Sequence, residues 1–141
     1  MQRDVRVTRQ AIVRLSVDIT TRHGLQHEVD AAPTFPEVLT QFGAWWRECA
    51  DGALVVTCGD WDLGSLLRRQ CAQHSLPLPA WAARWANLKW VYARTVSGAT
   101  DRVGMSEMAA QLSVRTVGRL HSGIDDARNI ARVLRKLIDL G

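Results

Sequence analysis

A chain of 141 residues can hold one domain's core, burying about two-thirds of the surface that its unfolded form exposes. Hydrophobic residues make up 47%, which excludes a disordered chain, and no apolar run approaches the roughly 18 residues that a membrane-spanning helix needs. The formal net charge is +4, with sixteen Arg against two Lys, a balance compatible with a polyanionic partner but not requiring one.

No apolar stretch follows the first charges, so no secretory leader is expected and a cytoplasmic location is. Cys49, Cys58 and Cys71 form no CxxC pair and read as buried free thiols in a reducing compartment. His23, His27, His74 and His121 lack zinc-ligand spacing apart from the His23/His27 pair, which straddles Gly24 in a turn-like stretch.

Met1 to Arg14 alternates loosely around Val5 and Val7 and predicts a short strand, while Leu15 to Pro33 reads as loop. A helix follows. Thr34 is an N-cap, Pro36 suits the first turn, Glu37 completes a capping box and Gly52 stops the run. Phe35, Val38, Leu39, Phe42, Trp45, Trp46 and Cys49 recur on its apolar face, as core rather than as a stacking platform. Ala53 to Thr57 is a continuous apolar run, predicted as a buried parallel strand. Helix is expected from about Leu63 to Gln73, ended by Pro77 and Pro79. A short strand follows at Trp85 to Leu88, then helix through about Arg94, a short helix from Ser106 to Leu112, and a last one from Asp125 or Asp126 to Leu140. Helices alternating with short apolar strands predict an α/β fold.

Carboxylates stand in two places where a plain core would not want them. Cys58-Gly59-Asp60-Trp61-Asp62 directly follows the predicted strand, where ligands gather in open α/β sheets. Two readings stay open there: Asp60 and Asp62 belong to a site, or one of them caps the next helix. The second place is His121-Ser122-Gly123-Ile124-Asp125-Asp126. The last helix has an apolar face of Ile130, Val133, Leu134, Leu137 and Ile138, and Asp126 extends it into the first turn, whereas Asp125 points about 100° away and suits a cap. A carboxylate on a core-facing stripe is costly unless a cation or hydrogen bonds compensate it. Hard acid ligands without thiolates suit Mg²⁺ or Mn²⁺ rather than zinc, and a histidine nearby can take a proton from water.

The string HSGIDDARNIARVL (121–134) resembles the third motif of the DEDDh 3′-to-5′ exonucleases, a His, four residues and an Asp. VDAAPTFPEVL (29–39), WDLGSLLRRQC (61–71) and WANLKWVYA (85–93) resemble, in order and spacing, the branch that trims histone-mRNA, small-RNA and ribosomal-RNA ends. LSVDITTRHGL (15–25) is similar to a further segment of that branch. The resemblance implies a ribonuclease H-like α/β fold, a mixed sheet with helices on both faces. It also implies that the chain hydrolyses single-stranded nucleic acid from 3′ ends, RNA favoured over DNA. Asp62 and Asp126 then match metal ligands for Mg²⁺ or Mn²⁺ and His121 the general base, while Asp60 and Asp125 serve as caps or outer groups.

One part of the pattern is missing. These enzymes open with an Asp-x-Glu strand, and no Asp-x-Glu occurs in the chain. Glu28, Asp30 and Asp18 do not replace it. The expectation is therefore a single partial domain over residues 1–141, N-terminally truncated so that the first two strands are absent. Met1 to Arg14 would then be poorly ordered or paired to the exposed edge of 53–57. A non-catalytic remnant that binds nucleic acid or a partner is the alternative, and assembly with a chain supplying the missing strands is a third possibility. No membrane contact is expected, and oligomeric state is left open.

Overall fold

The computed structural model describes residues 32–50, 52–119 and 121–141; the expectations for Met1 to Arg14 and for Leu15 to Ala31 lie outside the described residues. The chain divides into two compact units, Met1–Ala53 and Leu54–Gly141.

The described part of the first unit is helix α1 (Phe35–Cys49). Its start is chemical: the Glu37 carboxylate accepts from the Thr34 backbone N–H and from the Thr34 hydroxyl, each at 2.7 Å. Those two bonds hold the Glu37 carboxyl below the usual carboxylate range. Val38, Leu39 and Trp46 are buried, and Phe42 stacks obliquely on Trp45 and Trp46 with ring centres 5.5 and 5.9 Å away. Cys49 departs from the predicted apolar face and is exposed, while Ala50, one residue on, takes the buried place.

The second unit is built on two parallel strands, β1 (Val55–Thr57) and β2 (Trp85–Asn87), in the register Val55–Trp85, Val56–Ala86, Thr57–Asn87. The expectation of a wholly buried strand is corrected here. Thr57 is buried, Val55 and Val56 are half-buried, and Leu54 is exposed. A two-stranded sheet covers one edge of each strand only, and these are all the strands among the described residues.

Between the strands the chain makes a widened π turn, Trp61–Leu66, that runs into helix α2 (Leu67–Gln73). Helix α3 (Leu88–Thr95) leaves β2 directly, its first turn capped by the Asn87 side chain, which accepts from Lys89 N–H at 3.0 Å. Helices α4 (Met105–Gln111) and α5 (Gly123–Leu140) complete the unit.

Its core joins Leu88 and Tyr92 of α3, Met108 and Ala109 of α4, Leu112, and Val133 and Leu137 of α5. Val133 and Leu137 are 0% and 2% exposed, and Ile130 and Leu134 pack against the cluster from the flanks. Ile138, expected on the same face, is 58% exposed: one residue past Leu137 turns about 100° around the helix and leaves the stripe. Asn129 takes the buried place instead. No helix among the described residues is long and apolar enough to cross a membrane.

Candidate functional site

Every proposed site residue lies where a regular element begins. β1 ends at Thr57, whose hydroxyl donates to Gly59 C=O at 2.6 Å and bends the chain out of the sheet. Asn87 then pins the bend, its Oδ1 accepting from Gly59 N–H at 3.1 Å and its Nδ2 donating to Asp60 Oδ2 at 3.0 Å. The other Asp60 oxygen accepts from the Trp85 indole at 2.9 Å. Of the two readings open for this acid, neither capping nor ligation describes it. Both oxygens are spent on the neighbouring strand, tying the exit of β1 to β2.

Two residues later, Asp62 enters the π turn. Its carbonyl accepts from Leu67 N–H, five residues on, so the turn is one residue wider than an α-helix. The side chain as a whole reaches solvent, yet its carboxyl is crowded enough that burial pushes its pKa up, with its own backbone N–H only partly opposing. Crowding without a cation or a set of donors leaves the ionised form poorly compensated.

The second half of the site is a loop laid against α5. Val117 N–H donates to Asn129 Oδ1 at 2.8 Å and Val117 C=O accepts from Asn129 Nδ2 at 3.0 Å, so a buried amide stands in for a strand partner. Arg119 N–H donates to Asp125 Oδ2 at 3.1 Å, and Arg128 Nη1 pairs with Asp125 Oδ1 at 3.0 Å. The Arg119 N–H bond, reinforced by the Ser122 hydroxyl and by Arg128, holds the Asp125 carboxyl below its ordinary range. Gly118 makes the approach possible: at φ +73°, a Cβ there would meet the Asp125 carboxyl carbon at 2.1 Å. His121 follows in an exposed turn at φ 63°, a left-handed conformation uncommon for a residue with a Cβ. Asp125 therefore closes the histidine loop rather than merely capping the helix.

Asp126 is half-buried in the first turn of α5, and its carboxylate takes no hydrogen bond or ion pair among the described residues. Cys58 links it to Asp62. Burial pushes the Cys58 thiol up, Lys89 pulls it down, and both Asp62 and Asp126 push it further up. The fields of the two acids thus meet at one half-buried sulfur. As a metal centre the donor set is right in kind, being hard carboxylates, and short in number. Among the described residues no three His, Cys, Asp or Glu side chains gather as ligands. Two acids suit one cation that keeps most of its water.

Sequence reasoning missed Asn129, Asn87 and Gly118. A buried Asn inside an apolar helical stripe was the available signal for the first; the other two act through backbone groups that spacing does not reveal.

The RNase T family, described as Exonuclease, matches residues 5–134. ERI1 exoribonuclease 3 of Homo sapiens is 37% identical over 120 residues, covering 80% of this chain and 35% of the relative. The 3′-5′ exoribonuclease 1 of Homo sapiens is 31% identical, covering 82% and 34%. The chain thus spans about a third of the length of these curated relatives. Among solved structures, the nuclease domain of 3′hExo, a DEDDh family member bound to rAMP, superposes with a TM-score of 0.78 at 29% identity, covering 91% of this chain and 65% of that one. A structure describing 3′-end specific recognition of histone mRNA stem-loop by 3′-exonuclease gives 0.78 at 28%, covering 86% and 56%.

Proposed function

This chain belongs to the DEDDh 3′-to-5′ exonuclease superfamily, with its ribonuclease H-like fold, and on that premise we propose that its site removes nucleotides hydrolytically from the 3′ ends of RNA. Asp62 and Asp126 are the ligands of a divalent cation, Mg²⁺ or Mn²⁺, and His121 is the base. The observation that carries the reading is the exonuclease family match over residues 5–134, with Asp62 in the turn after β1 and Asp126 in the first turn of α5, its carboxylate without a partner among the described residues. RNA is preferred to DNA because the relatives are named exoribonucleases.

A cation bound there would polarise the attacking water and balance charge on the phosphate. The residues supply the rest. His121, in an exposed turn, takes the proton as water oxygen bonds to phosphorus. The bond from phosphorus to the 3′ oxygen of the shortened strand breaks, and that oxygen leaves as a hydroxyl once protonated. Asp125 and Gly118 hold the loop that presents His121, and Asp60 and Asn87 hold the turn that presents Asp62.

One observation favours a second reading, a nucleic-acid binder that does not cut. The 141 residues contain no Asp-x-Glu, and the described acids form no three-ligand set. A labelled RNA ladder with Mg²⁺ or Mn²⁺, run beside Asp126→Ala and His121→Ala, separates the two. Ladder formation lost in both variants supports the nuclease. Tight RNA binding with no cleavage by any variant, in this chain or in one extended upstream, supports the binder.

A further inference from the structure

The two segments that carry His121 and Asp126 also carry a concentration of arginine that the chemistry above does not use. Arg115 and Arg119 lie on the loop before His121, and Arg128, Arg132, Arg135 and Lys136 on α5; all six are exposed. Arg128, Arg132 and Arg135 are spaced by four and then three residues, so they share one side of the helix. The loop is bound along that helix. Arg132 Nη1 donates to Arg115 C=O at 3.4 Å, Asn129 clamps Val117, and Asp125 accepts from Arg119 N–H. The arginines of both segments are thereby brought into one area, beginning at the N-terminus of α5.

Acids do little to balance them. Asp125 pairs with Arg128 at 3.0 Å, the one ion pair among the described residues. Asp139 stands four residues beyond Arg135 and lies at the far end of the helix. Arg115, Arg119, Arg132 and Arg135 reach no carboxylate among the described residues. Like charges at such spacing repel along the helix, a penalty that a bound polyanion removes. Guanidinium rather than ammonium groups make up all but one of the six, and their planar fork matches phosphate oxygens. From Arg128 to Arg135 the helix rises about 10 Å, which spans roughly three stacked nucleotides of one strand.

We propose that this arginine face, running from the His121 loop along α5, binds the phosphodiester backbone of the strand whose 3′ end enters the site. The inference rests on the nuclease reading only in taking a 3′ end to the start of α5. An acidic protein is the competing occupant, and the test separates it.

The protein is titrated with a fluorescent single-stranded RNA, with a trinucleotide and with a polyglutamate peptide of matched charge, over a range of salt. Arg132→Gln/Arg135→Gln and Arg115→Gln touch none of the proposed ligands or base, and Arg132→Lys/Arg135→Lys keeps the charge. The double Gln variant should bind the long RNA about tenfold more weakly. Its slope of log affinity against log salt should be shallower by about 1.4, at roughly 0.7 per single-strand phosphate contact. The Lys pair should keep the slope, and trinucleotide binding should not change. Unchanged affinity and slope in the Gln variants, with melting temperature intact, overturn the proposal, as does an equal loss of polyglutamate binding. Because binding needs no cleavage, the expected slopes in a protein that stays inactive even when extended upstream sink the nuclease reading alone. An active one whose binding ignores these arginines sinks this inference alone.

Discussion

Gly118 and Asp125 show how one missing methyl group sets a site. The carboxylate occupies the space a Cβ would fill, at 2.1 Å, while accepting from Arg119 N–H. Gly118→Ala should lower the melting temperature by several degrees and reduce cleavage by freeing the His121 loop. Asp125→Asn keeps the shape and loses the charge. Because the folded-state pKa of Asp125 is depressed, its contribution is present above the ordinary Asp value near 4 and is lost as pH falls through the depressed value. Wild type should therefore out-melt Asp125→Asn at pH 7, with the gap closing below about pH 4; an equal gap at both pH values refutes the assignment. Asp62 has the opposite sign. Its pKa is raised by burial, so ionisation opposes folding and stability improves as pH falls through the raised value. Without added cation, Asp62→Asn should melt higher at pH 7 by roughly 1–2 °C, discounted for its solvent access, and should lose that advantage in acid. Excess Mg²⁺ should reverse the order, since the charged carboxylate binds it more strongly than a neutral amide oxygen does.

At the scale of elements, α5 does two jobs along one stripe. Val133 and Leu137 bury it in the core, and Asn129, one turn earlier, continues the stripe with hydrogen bonds to Val117. Leu137→Ala should cost about 2–5 kcal/mol by chemical denaturation and spare the loop geometry. Asn129→Ala leaves an N–H and a C=O of Val117 without partners, about 1–3 kcal/mol for each if they stay buried. It should depress activity more than Leu137→Ala does when the two are compared at temperatures of equal folded fraction. In α3 the fully buried Tyr92 donates its hydroxyl to Gln111 of α4. Tyr92→Phe should cost only about 0.5–1.5 kcal/mol, because Gln111 is exposed and water replaces the phenol.

For the whole molecule the prediction concerns rate. Two carboxylates hold a cation loosely, and losing one electrostatic contact in an active site lowers rate by on the order of 10²–10³. The 141 residues by themselves should cleave 3′ ends very slowly even with saturating Mn²⁺, and Asp126→Ala should abolish what remains. Fast, Asp126-dependent degradation by the purified chain would mean that other acids complete the ligand set.

Much of this was legible from residues alone. α1 was marked by Thr34 and Glu37, β2 and α3 by Trp85 to Arg94, and α5 by its stripe, because periodicity and caps are local and each segment carries its own. The acids at the ends of β1 and at the start of α5 were legible as anomalies, a charge standing where burial was due. Tertiary structure decided what surrounds each of them. Asp60 and Asp62 stand two residues apart, and by position alone they were equivalent, though the family motif singled out Asp62. The position of β2 gave Asp60 two donors, while the π turn carried Asp62 beyond them toward Cys58. Likewise Asp125 and Asp126 are neighbours whose fates diverged because the 115–119 loop lies along one side of α5. Hydrogen bonds between residues 25 or 28 apart depend on which elements pack together, and no local pattern encodes that.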